Sequence, residues 1–121
     1  MLMRTILAGV AALGLTAAAQ AAELKLGYSL APTSHYGVGA TAMGEELARL
    51  TNGKWTIKQF PANALGGERE MVEGLQIGTI DLVITSTEPV GNFVPDTLIT
   101  DIHFLFRDYK HAHAVLDGPI G

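Results

Sequence analysis

The sequence has no cysteine, which excludes disulfides, thiolate metal sites and cysteine nucleophiles. Positive charge is scarce: eight lysine and arginine residues face twelve aspartates and glutamates, for a net charge of −4. Such a field repels a phosphate backbone, so no nucleic-acid partner is expected. Gly66-Gly67 has no Gly-Lys-Ser/Thr or Gly-x-Gly-x-x-Gly framework around it, which removes a phosphate loop. No Gly-x-Ser-x-Gly elbow marks a nucleophilic serine. Beyond the N-terminus no apolar run is long enough to cross a bilayer.

What is present begins with Arg4, an apolar run from Ile6 to Leu15, and Ala19-Gln20-Ala21. This is the pattern of a secretory signal over residues 1–21, with an apolar core well short of the roughly 20 residues that span a membrane. Export to the periplasm is therefore expected, leaving residues 22–121. Without disulfides, packing alone must stabilise them. The helical pattern near the end runs into Pro119-Ile120-Gly121 with no closing strand, so the chain reads as a fragment. An unfinished sheet with an unpaired edge and an uncovered apolar face is expected to fold poorly alone.

The chain is organised around Leu65 to Thr85. Glu68 and Glu70 place negative charge in a first helical turn, Met71, Val72 and Leu75 recur at helical spacing, and Gly78 suits a left-handed cap. Ile80 to Ile84 follows as a short apolar strand ending in Thr85-Ser86-Thr87-Glu88. Earlier, Glu23 to Ser29 alternates as a strand. Pro32 breaks it, and Thr33 or Ser34 can cap a helix whose apolar stripe is Tyr36, Ala40, Met43, Leu47 and Leu50. Asn52-Gly53 ends that helix, and Trp55 to Phe60 resumes strand alternation.

Strand, helix, strand, helix, strand with short connections predicts a parallel sheet of the α/β class. Right-handed crossovers put both helices on one face unless the strand order reverses between them. Three loops then gather on one edge: Ala31 to His35, Pro61 to Glu68, and Thr85 to Asn92. Beyond Ser86 the pattern weakens. The patch Asp101 to Phe106 has no decisive period, and Tyr109 to Leu116 reads as a helix capped by Asp108.

Several stretches, in this order and spacing, resemble one family. They are Thr51-Asn52-Gly53-Lys54, Phe60-Pro61 before Leu65-Gly66, Glu68-Arg69-Glu70-Met71 through Gly78, Thr79-Ile80-Asp81-Leu82, and Phe104-Leu105-Phe106-Arg107-Asp108-Tyr109. The chain resembles the DctP-type substrate-binding subunits of tripartite ATP-independent periplasmic (TRAP) transporters. His103 departs from the pattern, standing where proline is expected. The resemblance implies an incomplete periplasmic-binding-protein-like type II lobe with a parallel-type sheet and flanking helices, the second lobe missing. It also implies a small organic acid as ligand (a sugar acid or other carboxylate), TRAP membrane permease subunits as partners, and an anion-gripping arginine in the second domain. By position, ligand contacts fall on Ser34-His35-Tyr36, Arg69-Glu70 and Ser86-Thr87-Glu88.

The residues themselves support a candidate binding set of His35, Arg69, Glu70, Ser86, Thr87 and Asn92. His35 sits in a strand-to-helix loop and can donate to a hydroxyl or carboxylate, although a surface or capping histidine is the plainer reading. Arg69 has a planar fork suited to carboxylates, yet between two glutamates it also reads as a solvated ion pair. Glu70 can accept from sugar-type hydroxyls or serve only its own helix. Ser86, Thr87 and Asn92 follow a buried strand, where hydroxyls and amides bind ligands or build turns. Tyr28, Tyr36 and Trp55 read as core rather than stacking platforms. His111 and His113, two apart on a helix, do not face one another, so no metal site is expected. No cofactor and no catalytic residue is predicted.

The leading expectation is a receptor that closes around its ligand without altering it. An exported α/β enzyme with catalytic groups further along the chain, and a receptor of the ATP-driven transporter class, are the alternatives.

Overall fold

A computed structural model of the protein describes residues 21–121. The secretory signal read over residues 1–21 lies, apart from Ala21, outside the described residues.

The chain runs β1 (Ala22–Tyr28), α1 (His35–Leu50), β2 (Trp55–Phe60), α2 (Glu68–Ile77), β3 (Leu82–Ile84) and α3 (Thr87–Gly91). A 3-10 helix (Pro95–Asp101) and α4 (Tyr109–Leu116) complete it. Local chemistry sets most boundaries. Ser34 adopts extended backbone at the start of α1 and its hydroxyl accepts from the Gly37 amide at 3.4 Å. Asn52 and Gly53 take left-handed conformations after α1 (φ 50° and 74°), and Gly78 does so after α2 at φ 75°, as C-terminal caps require. Asp108 accepts from the His111 amide at 2.7 Å and starts α4.

The three strands are parallel, in the order β2-β1-β3. The order therefore reverses: the chain steps from β1 outward to β2, then crosses back over β1 to β3. Right-handed crossovers in opposite directions place the two helices on opposite faces, and the packing agrees. Leu26 and Tyr28 point to one face, where with Ala40 of α1 they form a fully buried cluster flanked by Tyr36, Ile57, Leu82 and Ile84. Gly27 points to the other, and a Cβ there would lie 2.7 Å from Met71 Sδ of α2.

Tyr28 is wholly buried, so its hydroxyl needs a partner. It donates to Gln59 Oε1 at 2.7 Å, Gln59 Nε2 donates to Thr41 Oγ1 at 3.0 Å, and Thr41 donates to the Gly37 carbonyl at 2.9 Å. A polar thread thus links β1, β2 and α1 through the core layer. The expected apolar stripe of α1 is covered only toward its start. Ala40 is buried, whereas Met43 and Leu50 are 41% and 64% exposed.

Past β3 one expectation is corrected and one open stretch is resolved. Thr85 to Asn92 is not simply a loop, since Thr87–Gly91 forms a helix of five residues. Ser86 enters it in extended backbone, and Glu88 and Pro89 suit a first turn. The patch Asp101 to Phe106 is no strand. Asp101 ends the 3-10 helix, Leu105 N donates to the Ile102 carbonyl at 3.2 Å, and Phe104 is left-handed (φ 62°) and 98% exposed.

One glycine of α1 is required by close approach. A Cβ on Gly37 would sit 1.9 Å from the Pro32 carbonyl oxygen, which is backbone and cannot swing aside, whereas a Cβ on Gly39 meets nothing within 4 Å. Gly37→Ala is predicted to destabilise the full-length chain by about 3 kcal/mol. Gly39→Ala, on the same helix, should stabilise it by about 0.5–1 kcal/mol. Urea denaturation of both variants checks the pair, and equal midpoints would refute the assignment.

Candidate functional site

In a parallel sheet whose order reverses, the loops leaving the carboxyl ends of the strands diverge to opposite faces and leave a crevice between them. Here the reversal lies at β1. Its carboxyl end gives Ser29 and the loop to Ser34, β2 gives Pro61 to Gly67, and β3 gives Thr85 and Ser86. The loop after β2 is fastened onto β1 by backbone: Ala62 N donates to the Leu30 carbonyl at 2.9 Å and Asn63 N to the Tyr28 carbonyl at 3.2 Å. Ala62 and Asn63 are both left-handed, at φ 52° and 59°, a costly conformation for a residue with a Cβ and one that clusters at functional sites.

At the middle of this edge stands Glu68, the first residue of α2. Its Oε1 accepts from Ser29 Oγ at 2.6 Å and its Oε2 from Ser86 Oγ at 3.2 Å. One carboxylate thereby ties the ends of the two neighbouring strands β1 and β3 to the start of α2. Ser86 begins α3 but makes no side-chain capping bond to it, because its hydroxyl is directed to Glu68 instead. The carboxyl pKa of Glu68 is held below its ordinary 4.5, chiefly by the Ser29 hydroxyl, against a smaller opposing effect of burial, with Thr85 and Ser86 adding to the depression. Thr85 Oγ1 is shut off from solvent with no hydrogen bond of good geometry, so it acts on the carboxylate as a nearby dipole rather than as a bonded donor.

The predicted residues divide. Ser86 is at the centre of the edge through Glu68. Glu70 folds back on the glycine turn, where a Cβ on Gly67 would lie 2.6 Å from its Oε2. His35 opens α1, exposed, with its ring set edge-on to Tyr36 at 4.7 Å between centroids. The others point to partners elsewhere. Arg69 Nε donates to Glu73 Oε1 at 3.0 Å along α2, Thr87 Oγ1 donates to Asp101 Oδ1, and the Asn92 amide donates to the Pro89 carbonyl at 3.4 Å. Glu68 and Ser29 were not among the predicted set. The available signal was that Ser29 directly follows one strand, Ser86 lies two residues past another, and Glu68 is the first acid after the glycines.

Among the described residues no group of three or more histidines, aspartates and glutamates is placed to hold a metal ion. His113 Nδ1 lies 2.8 Å from Asp117 Oδ2 on the outside of α4, and His111 Nδ1 accepts from the Arg107 amide at 3.2 Å. The edge offers hydroxyls, an ionised carboxylate and backbone amides. Such a set can hydrogen-bond a small polar ligand.

The model of the bacterial extracellular solute-binding proteins, family 7 (DctP), matches residues 26–121. A solute-binding protein of Verminephrobacter eiseniae is 49% identical over 106 residues, which is 88% of this chain and 31% of that protein. A TRAP periplasmic solute-binding protein of Polaromonas, solved with D-erythronate, superposes with a TM-score of 0.80 at 57% identity, covering 83% of this chain and 33% of its own. One from Bordetella bronchiseptica, with density attributed to pantoate, does so with a TM-score of 0.79 at 54% identity and the same coverage. The chain spans about a third of the length of these relatives.

Glu68 makes stability pH-dependent with a definite sign. Its folded pKa is depressed, so the stabilisation is complete above its ordinary 4.5 and is lost as pH falls through the lowered folded value. The stability difference between wild type and Glu68→Gln should be largest above that pH and shrink on acidification. Denaturant titrations at several pH values check this, and a difference independent of pH would contradict it.

Proposed function

The chain belongs to the DctP family of bacterial extracellular solute-binding proteins, and from that membership we propose that it is the receptor component of a TRAP transporter. The signal over residues 1–21 exports it to the periplasm, and residues 22–121 form the N-terminal part of the first of two lobes. The whole protein binds a small organic acid, a sugar acid or another carboxylate, releases it unaltered to the membrane permease subunits, and catalyses no reaction. The acid contacts both lobes only when they close, so closure is stabilised by that difference and by nothing else.

The observation that carries this reading is the meeting of Ser29, Glu68 and Ser86 at the carboxyl ends of the strands, in a chain of this family. His35, Glu70 and Ser86 border the crevice as ligand contacts. Arg69, Thr87 and Asn92 contribute by exchanging Glu73, Asp101 and the Pro89 carbonyl for the ligand. The related structures with D-erythronate and pantoate support a hydroxylated acid of a few carbons.

A thermal-shift screen of the full-length protein against aldonates, hexuronates, dicarboxylates, 2-oxo acids and sialic acid tests the reading. At a ligand concentration of about 100 Kd the gain is roughly 2.7 kcal/mol, a shift of a few degrees for a protein of that size. The bound acid should be recovered unchanged. No shift with any acid would defeat the proposal.

A further inference from the structure

The sequence holds three asparagines, and only Asn52 precedes a glycine. Asparagine is a thermolabile residue, because the backbone nitrogen of the residue after it can attack its carboxamide. Asn63 is followed by Ala64 and Asn92 by Phe93, and in each case the following side chain crowds that nitrogen. Gly53 has no side chain to do so, and the space where a Cβ would stand is open. Asn52 and Gly53 are both exposed.

The main chain of the same turn opposes the reaction. Asn52 and Gly53 lie in left-handed backbone at the end of α1, and the Gly53 amide donates to the Ala48 carbonyl at 2.8 Å. An attacking nitrogen must first give up its proton, and here a helix carbonyl holds that proton. The following residues extend the constraint. Lys54 N donates to the Thr51 carbonyl at 3.1 Å, and Ala22 N to the Lys54 carbonyl at 2.8 Å, beside the pairing of Ala22 with Trp55 that opens the ladder of β1 and β2.

The geometry points to Asn52-Gly53 as a latent site of isoaspartate formation that the folded turn holds in check. This is independent of the receptor reading. When the turn opens, the Gly53 nitrogen loses its proton to solvent and attacks Asn52 Cγ. The new C–N bond closes a succinimide ring, and ammonia leaves. Water then adds to either ring carbonyl and gives aspartate or isoaspartate, so that ammonia is lost, water is gained and no oxidant is needed. Isoaspartate carries the main chain through its β-carbon, which lengthens the turn and draws the Gly53 amide away from Ala48. Either product also places a negative charge at the C-terminal end of α1, where the helix dipole disfavours it. Conversion here therefore loosens both α1 and the start of the sheet.

Incubation of the full-length protein at mildly alkaline pH, folded and in concentrated urea, tests the inference, with isoaspartate located by peptide mapping. In urea, Asn52 is expected to convert ahead of Asn63 and Asn92. In the folded protein its conversion should be at least about tenfold slower, because only the opened turn reacts. That slowing should be of the same order as the protection of the Gly53 amide against hydrogen exchange. Protein converted at Asn52 should unfold at lower urea than fresh protein, whereas Asn52→Gly, which keeps the left-handed backbone, should hold its midpoint through the same incubation. Equal rates folded and unfolded, or earlier conversion of Asn63 or Asn92 in urea, overturn the inference. So does a midpoint that falls equally in wild type and Asn52→Gly, or in neither.

Discussion

One carboxylate holds the working edge of this protein together. Glu68 accepts from Ser29 beyond β1 and from Ser86 beyond β3, and it does so from the first turn of α2, where the partial positive charge of the helix start favours its ionised form. Charge-assisted hydrogen bonds of this kind are stronger than neutral ones. Their effect is geometric as much as energetic, because three elements separated in sequence are brought into one register at a single group. The loops around them inherit their positions from that junction.

The junction exists only because the sheet order reverses. Had β3 been added beyond β2, Ser29 and Ser86 would be separated by an intervening strand of about 4.8 Å on each side, too far for one carboxylate to reach both. With β1 central, its neighbours leave on opposite faces. α1 packs over Leu26 and Tyr28, and α2 over Gly27. The smallness of Gly27 lets Met71 approach the strand closely, which brings the start of α2 down toward the strand ends. The chain belongs to a solute-binding family, and the proposed receptor role would give this edge a chemical purpose that the fold alone leaves open.

Much of this was legible in the sequence wherever the cause is local. The positive-φ positions Asn52, Gly53 and Gly78, the caps Ser34 and Asp108, and the strand Trp55 to Phe60 follow from a few adjacent residues each. Strand order was not legible, since alternation tells which face a side chain takes but not which strand lies beside it. For that reason Glu68 read as ordinary first-turn charge: its role depends on β1 and β3 being neighbours. The helix Thr87–Gly91 escaped because five residues are shorter than the window in which a 3.6-residue period shows. Arg69 shows the opposite case, where the bland reading of a helix-surface ion pair is the arrangement found.

The turn at Ala62 and Asn63 has a practical consequence for redesign. Its hold on β1 runs entirely through main-chain amides to the carbonyls of Leu30 and Tyr28, while both side chains are exposed. That turn beside the strand ends is thus a backbone frame with interchangeable fittings. Asparagine or aspartate, which tolerate the left-handed conformation, can stand at position 62, and aspartate at position 63, to present other polar groups without loosening the frame that carries them.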